Sequence, residues 1–144
     1  GQDVVCLCEG DPFFYGSFMY IFARLEGAYD VQIVPGVTSV TACSARARMP
    51  LAARNERLTV LPGPLPEDEL RARIDGAESV VIMKVGRHMA KIRGVIDGLG
   101  LTDRAKYVER ATLPQEVVVP LADAPEKAPY FSMILLTKGA DPWL

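Results

Sequence analysis

An unbroken apolar run, Val4 to Cys8, is cut off by Gly10-Asp11-Pro12, and this break constrains the fold more than any other stretch of the chain. A continuous run of this kind is how a strand covered on both faces of a parallel sheet reads, and Gly-Asp-Pro cannot continue it. Tyr15 to Leu25 then places Phe18, Ile21, Phe22 and Leu25 at helical intervals. Gly27 ends that helix, Tyr29 to Val34 reads as a second, β-branched strand, and Pro35-Gly36 leads into Val37 to Met49, which is rich in Ala and Ser. The pattern predicts a β-α-β-α unit. A right-handed crossover makes its two strands parallel, so the turns after Cys8 and after Val34 leave the same sheet edge.

From Leu51 the character changes. Leu58 to Leu61 reads as a short strand ended by Pro62-Gly63-Pro64, and Glu67 to Ile74 as a polar helix opened by acids. Ser79 to Val85 is a second buried strand, and His88 to Leu99 an amphipathic helix ended by Gly100. Lys106 to Glu109, Val117 to Leu121 and Tyr130 to Thr137 follow as strands with no long helix between them, which predicts an antiparallel or mixed end to the sheet. The expected organisation is therefore α/β throughout. Residues 1–52 form the end of a parallel-sheet first domain, and 53–144 a second α/β domain with a mixed sheet.

The chain is 144 residues long, 49% hydrophobic and 24% charged, enough to bury a core. Its net charge of -2, with basic and acidic residues interspersed, speaks against a nucleic-acid partner. No apolar run approaches the roughly 20 residues that span a bilayer, and the opening residues lack a signal-peptide pattern, so no membrane association and a cytoplasmic location are expected. Cys6, Cys8 and Cys43 read as buried, reduced thiols: with one His and no second Cys pair, no metal site is expected.

Ligands of open α/β sheets bind where strands end, so the two early turns are the first candidates for chemistry. In Val34-Pro35-Gly36-Val37-Thr38-Ser39, Gly36 lets backbone approach closely, and Thr38 or Ser39 can cap a helix whose free amides suit an anion. A plain capped turn fits the same residues. Asp11 is ambiguous in the same way, between a cap and an exposed carboxylate for a cationic or hydroxyl-bearing ligand. Phosphate-loop and dinucleotide glycine patterns are absent, so nucleoside triphosphates and NAD are poor candidates. His88, near a helix start with no nucleophile motif, reads as a surface residue, and Lys84 as a solvated one.

Four ordered segments give the chain a family likeness: Gly10-Asp11-Pro12-Phe13-Phe14-Tyr15-Gly16-Ser17; Val34-Pro35-Gly36-Val37-Thr38-Ser39 running to Met49-Pro50-Leu51; Val80-Val81-Ile82-Met83-Lys84-Val85; and Glu109-Arg110-Ala111-Thr112-Leu113-Pro114-Gln115. Together they resemble the tetrapyrrole (corrin and porphyrin) methylase family, whose two α/β domains hold S-adenosylmethionine in a trough between them. The likeness covers nearly the whole chain. It implies that the family's first strand and Gly-rich loop, which nothing here matches, belong upstream of Gly1, and hence that this chain is a carboxyl-terminal fragment with apolar strand surface left uncovered. Association or poor isolated stability follows as an expectation.

By motif, the resemblance implies that Glu9, Gly10 and Asp11 line the methionine end of the cofactor, with Thr38 and Ser39 nearby. Met83 contacts the adenosine, Ala111 and Thr112 lie at the adenine end, and Tyr15 faces the methyl group and the macrocycle. The wording CEGDPFFYGSFMYI and ERATLPQEVVVPL points to members of cobalamin synthesis that methylate precorrin-2, or its cobalt form, at ring carbon 20. Methyl transfer from a sulfonium is an in-line displacement that needs positioning more than a strong nucleophile, and no catalytic base is identified. Anionic acetates and propionates on the macrocycle call for cations, with Arg46, Arg48, Arg54, Arg57 and Arg110 as candidates. The resemblance also implies a homodimer. Two other readings stay open: a non-catalytic binding or assembly fragment, and a sibling methylase acting on another tetrapyrrole carbon or in diphthine synthesis.

Overall fold

The computed structural model describes residues 1–139, which fall into two compact units, Gly1–Thr41 and a second beginning at Ala42. In the first unit the helix predicted around Tyr15 to Leu25 forms as α1 (Phe18–Leu25). Phe13, Phe18 and Phe22 pack their rings together, with centroids 4.9 Å apart for Phe13 and Phe22 in an edge-on arrangement. The helix stops at Glu26, whose N–H returns to the Phe22 carbonyl at 2.8 Å, and Gly27 follows at φ 83, a left-handed turn that glycine adopts without a Cβ penalty. Helix α2 (Ser39–Ala47) is shorter than the predicted Val37 to Met49.

Neither predicted strand of this unit forms. Val4, Val5 and Leu7 stand 91%, 81% and 91% exposed, and the only bridge near Tyr29 to Val34 is the isolated pair Glu26 and Tyr29. A strand exists only through hydrogen bonds to a neighbouring strand, and among the described residues neither run joins a ladder. Apolar, β-branched composition favours a strand but does not supply its partner. For the same reason Cys6 and Cys8, expected to be buried, are exposed, whereas Cys43 is buried as expected.

The second unit is built on a five-stranded sheet: β1 (Leu58–Pro62), β2 (Ser79–Met83), β3 (Ala105–Glu109), β4 (Val117–Pro120) and β5 (Ser132–Thr137), in the order β1-β2-β5-β3-β4. β1 and β2 are parallel, joined through α3 (Glu67–Asp75), and every other pairing is antiparallel, so the sheet is mixed as expected. All of β2 is buried, as befits a strand with neighbours on both sides.

One face of the sheet carries the core. Val80, Ile82, Tyr107, Ile134 and Leu136 alternate onto the side where α3 and α4 (Met89–Gly98) supply Leu70, Ile74, Met89, Ile92, Val95 and Ile96. Each fully buried aliphatic side chain here contributes about 1.5–3 kcal/mol by leaving water. α3 opens with Glu67, Asp68 and Glu69, which complement its positive amino-terminal end. α4 ends where Gly100, at φ 67, lets the Leu101 N–H reach back to the Ile96 carbonyl at 3.1 Å. Among the described residues no helix is long and apolar enough to cross a membrane.

Candidate functional site

In the first unit the two glycine turns meet. Asp11 Oδ1 accepts the Phe13 N–H at 2.9 Å, and its Oδ2 accepts the Gly36 N–H, also at 2.9 Å, across 25 residues of sequence. These two bonds, the Gly36 one foremost, hold the Asp11 carboxyl below its usual range. Neither sequence reading of Asp11 included this: the side chain is neither a simple helix cap nor an uncommitted carboxylate, but a clasp between turns.

Gly36 is needed for the same contact. A Cβ at that position would lie 2.1 Å from the Gly10 carbonyl oxygen, so the backbone that approaches Gly36 is the protein's own first turn. Gly10 itself sits at φ 77. Thr38 caps α2, its Oγ1 accepting the Thr41 N–H at 3.3 Å while the Thr41 hydroxyl donates to the Thr38 carbonyl at 3.0 Å. Ser39 is the first helical residue. The structure thus brings Gly10, Asp11 and the Gly36 to Ser39 turn together; Glu9 precedes them, exposed, and Tyr15 stands half exposed at φ 55 with its ring against Phe14.

In the second unit, β1, β2 and β3 run in the same direction, so their carboxyl ends lie at one sheet edge. Met83 closes β2 there, nearly buried, and Arg110, Ala111 and Thr112 follow β3. Pro62-Gly63 belongs to this edge as well: the Gly63 N–H donates to the Met83 carbonyl at 2.7 Å, and a Cβ on Gly63 would come within 2.8 Å of the Lys84 carbonyl oxygen. Three non-glycine residues after these strands take left-handed backbone, Lys84 (φ 56), Arg110 (φ 48) and Thr112 (φ 69), each at a cost of roughly 1–2 kcal/mol that the surrounding contacts must offset.

Glu116 is one such contact, and no local pattern in the chain marks it as one. Its carboxylate takes the Nε and Nη2 fork of Arg46 at 2.7–2.8 Å and the Thr112 N–H at 2.6 Å. Arg46 first, then the Thr112 amide, pull its carboxyl below the ordinary range. Glu78 likewise takes the fork of Arg57. Arg46 and Arg57, expected as candidate substrate cations, are therefore committed to carboxylates of the chain itself. Arg48 and Arg54 both sit at positive φ, 48 and 46. His88 ends a short 3-10 turn, and burial, Lys91 and Arg87 lower its pKa. A cavity of about 270 Å³ lined by Arg93, Gly94, Asp97, Thr102 and Leu121 shares no residue with the strand-end edge.

The family model for Tetrapyrrole (Corrin/Porphyrin) Methylases matches residues 1–125. The chain belongs to the tetrapyrrole methylases. Among curated relatives of this tetrapyrrole methylase chain, the Precorrin-2 C(20)-methyltransferase of a Sinorhizobium species is 43% identical over 142 residues, 98% of this chain and 58% of that protein. Of solved structures, a cobalt precorrin-4 methyltransferase superposes with a TM-score of 0.68 at 29% identity, covering 92% of this chain and 63% of the other. The uroporphyrin-III C-methyl transferase of Thermus thermophilus, solved with S-adenyl homocysteine, gives 0.62 at 25% identity, over 90% and 63%. The tetrapyrrole methylase chain thus spans somewhat under two thirds of each of these three proteins, and its mixed α/β architecture is theirs.

Proposed function

We propose that this chain is part of an S-adenosylmethionine-dependent methyltransferase of cobalamin synthesis that methylates precorrin-2, or its cobalt form, at ring carbon 20. The observation that carries the reading is the 43% identity, over 98% of the chain, to a relative with that activity in its name. S-adenosylhomocysteine bound to a structural relative supports the same methyl donor here.

The residues fit such a donor. Its amino-acid end offers an ammonium and a carboxylate. The capped amino terminus of α2, at Thr38 and Ser39, suits the carboxylate. Glu9 and Asp11 suit the ammonium, since a carboxylate accepts about four hydrogen bonds and Asp11 uses two within the fold. We assign the adenosine to Met83, Ala111 and Thr112, and the side of the transferred methyl to Tyr15, with Gly10 in the turn that carries Asp11. When bound, the donor supplies a methyl on a sulfonium; the protein's work is to orient it and exclude water. The reading extends to a cytoplasmic homodimer, which size-exclusion chromatography of the full-length protein tests.

The deciding experiment incubates the full-length protein with S-adenosylmethionine and precorrin-2 and locates the new methyl by isotope labelling. A methyl at carbon 20 is expected. No transfer to any tetrapyrrole would overturn the proposal.

A further inference from the structure

We infer that Arg110, held in place by Glu109, grips a peripheral carboxylate of the tetrapyrrole substrate. The inference rests on the proposed function and names a substrate contact within it. Three arginines use their donors differently. A guanidinium grips a carboxylate best through its Nε and Nη2 edge, which matches two oxygens at once. Arg46 and Arg57 have given that edge to Glu116 and Glu78. Arg110 is held differently. It donates to Glu109 Oε1 through Nη1, and among the described residues its Nε and Nη2 edge has no partner, with the side chain 39% exposed.

Glu109 is placed to hold Arg110. It is 7% exposed, and a carboxylate buried to that degree needs hydrogen bonds on both oxygens. Tyr107, itself fully buried, donates its hydroxyl to Oε2 at 2.8 Å, leaving Oε1 for Arg110. The ion pair fixes one end of the guanidinium, and the Arg110 N–H, donating to the Phe131 carbonyl at 2.9 Å, fixes the backbone at its left-handed φ. A long side chain that would otherwise lose much rotamer freedom on binding is thereby oriented in advance.

The surroundings fit a flat, carboxylate-bearing ring. Phe131, whose carbonyl takes the Arg110 N–H, and its neighbour Tyr130 just precede β5, 57% and 75% exposed, with ring centroids 5.2 Å apart. Exposed aromatic faces next to a carboxylate-gripping fork complement a pyrrole ring with an acetate or propionate arm. The acetate and propionate arms of such a macrocycle supply the carboxylate that this fork matches.

The test compares Arg110→Ala, Arg110→Lys and Glu109→Gln in the full-length enzyme, reading kcat and KM for precorrin-2 and, separately, the Kd of S-adenosylhomocysteine by calorimetry. Loss of a charge-assisted bidentate contact predicts a KM for precorrin-2 raised about tenfold to a hundredfold in Arg110→Ala, with the Kd of S-adenosylhomocysteine within about twofold of wild type. Arg110→Lys, which keeps charge without the fork, should recover part of that loss. Glu109→Gln keeps an acceptor for Tyr107 but not the charge that anchors Arg110, and should raise KM with kcat little changed. An unchanged KM in Arg110→Ala, or a loss of S-adenosylhomocysteine binding as large as the rise in KM, would overturn the assignment while leaving the proposed function standing. Absence of any turnover by the wild-type enzyme would overturn both.

Discussion

Asp11 Oδ2 accepts the backbone N–H of Gly36 at 2.9 Å, tying two glycine turns that lie 25 residues apart. The second oxygen accepts the Phe13 N–H, so both bonds require an acceptor-only side chain. In Asp11→Asn one position carries an amide NH2 facing an N–H donor, and one bond is lost whichever way the amide turns. Full-length Asp11→Asn is expected to bind S-adenosylhomocysteine more weakly than wild type. Gly36→Ala, whose Cβ would overlap the Gly10 carbonyl, should lose about 1–3 kcal/mol of stability as well. Calorimetric binding and thermal melts read both effects; wild-type values for Gly36→Ala would mean that the turns do not meet this closely.

Thr38 caps α2 with its hydroxyl on the Thr41 N–H. Thr38→Ala should cost about 1 kcal/mol in denaturant unfolding, and Thr38→Ser, which keeps the hydroxyl, should restore most of it. Equal stability of the two variants would remove the cap from the account.

Glu116 holds the left-handed Thr112 through the backbone N–H while taking the fork of Arg46. Hydrogen exchange separates the two roles. The Thr112 amide should lose protection in Glu116→Ala and keep most of it in Glu116→Gln, which retains an oxygen acceptor. Unchanged exchange in Glu116→Ala would show that the loop holds its shape without this bond.

The Glu78 carboxyl is pulled from 4.5 down to about 2, chiefly by the hydrogen bonds from the Arg57 side chain. A depressed folded-state pKa contributes stability above the unfolded value, and that stability fades as pH falls from about 4.5 toward about 2. Glu78→Gln should therefore be less stable than wild type at neutral pH, with the gap closing across that window. Urea unfolding at a series of pH values measures it; a gap independent of pH would assign the effect to packing instead.

How far the sequence carried differed between the two units. In the second, alternating and continuous apolar runs fixed each strand and helix to within a few residues, because a side chain's burial follows directly from the period of its element. In the first, Val4 to Cys8 and Tyr29 to Val34 have strand composition without strand structure, since ladder partners are a property of neighbours and not of the run itself.

By itself the sequence determined the family, through four ordered motifs, and the positions of the turns, through Gly10, Pro12, Gly36 and Gly63. Only the tertiary structure decided what the charged side chains in and around those motifs do. Asp11 meets Gly36 across 25 residues, Arg46 meets Glu116 across 70, and Arg110 meets, through Nη1, a Glu109 whose other oxygen takes the Tyr107 hydroxyl. Long polar side chains choose their partners by distance in space, and no local period in a sequence encodes that distance.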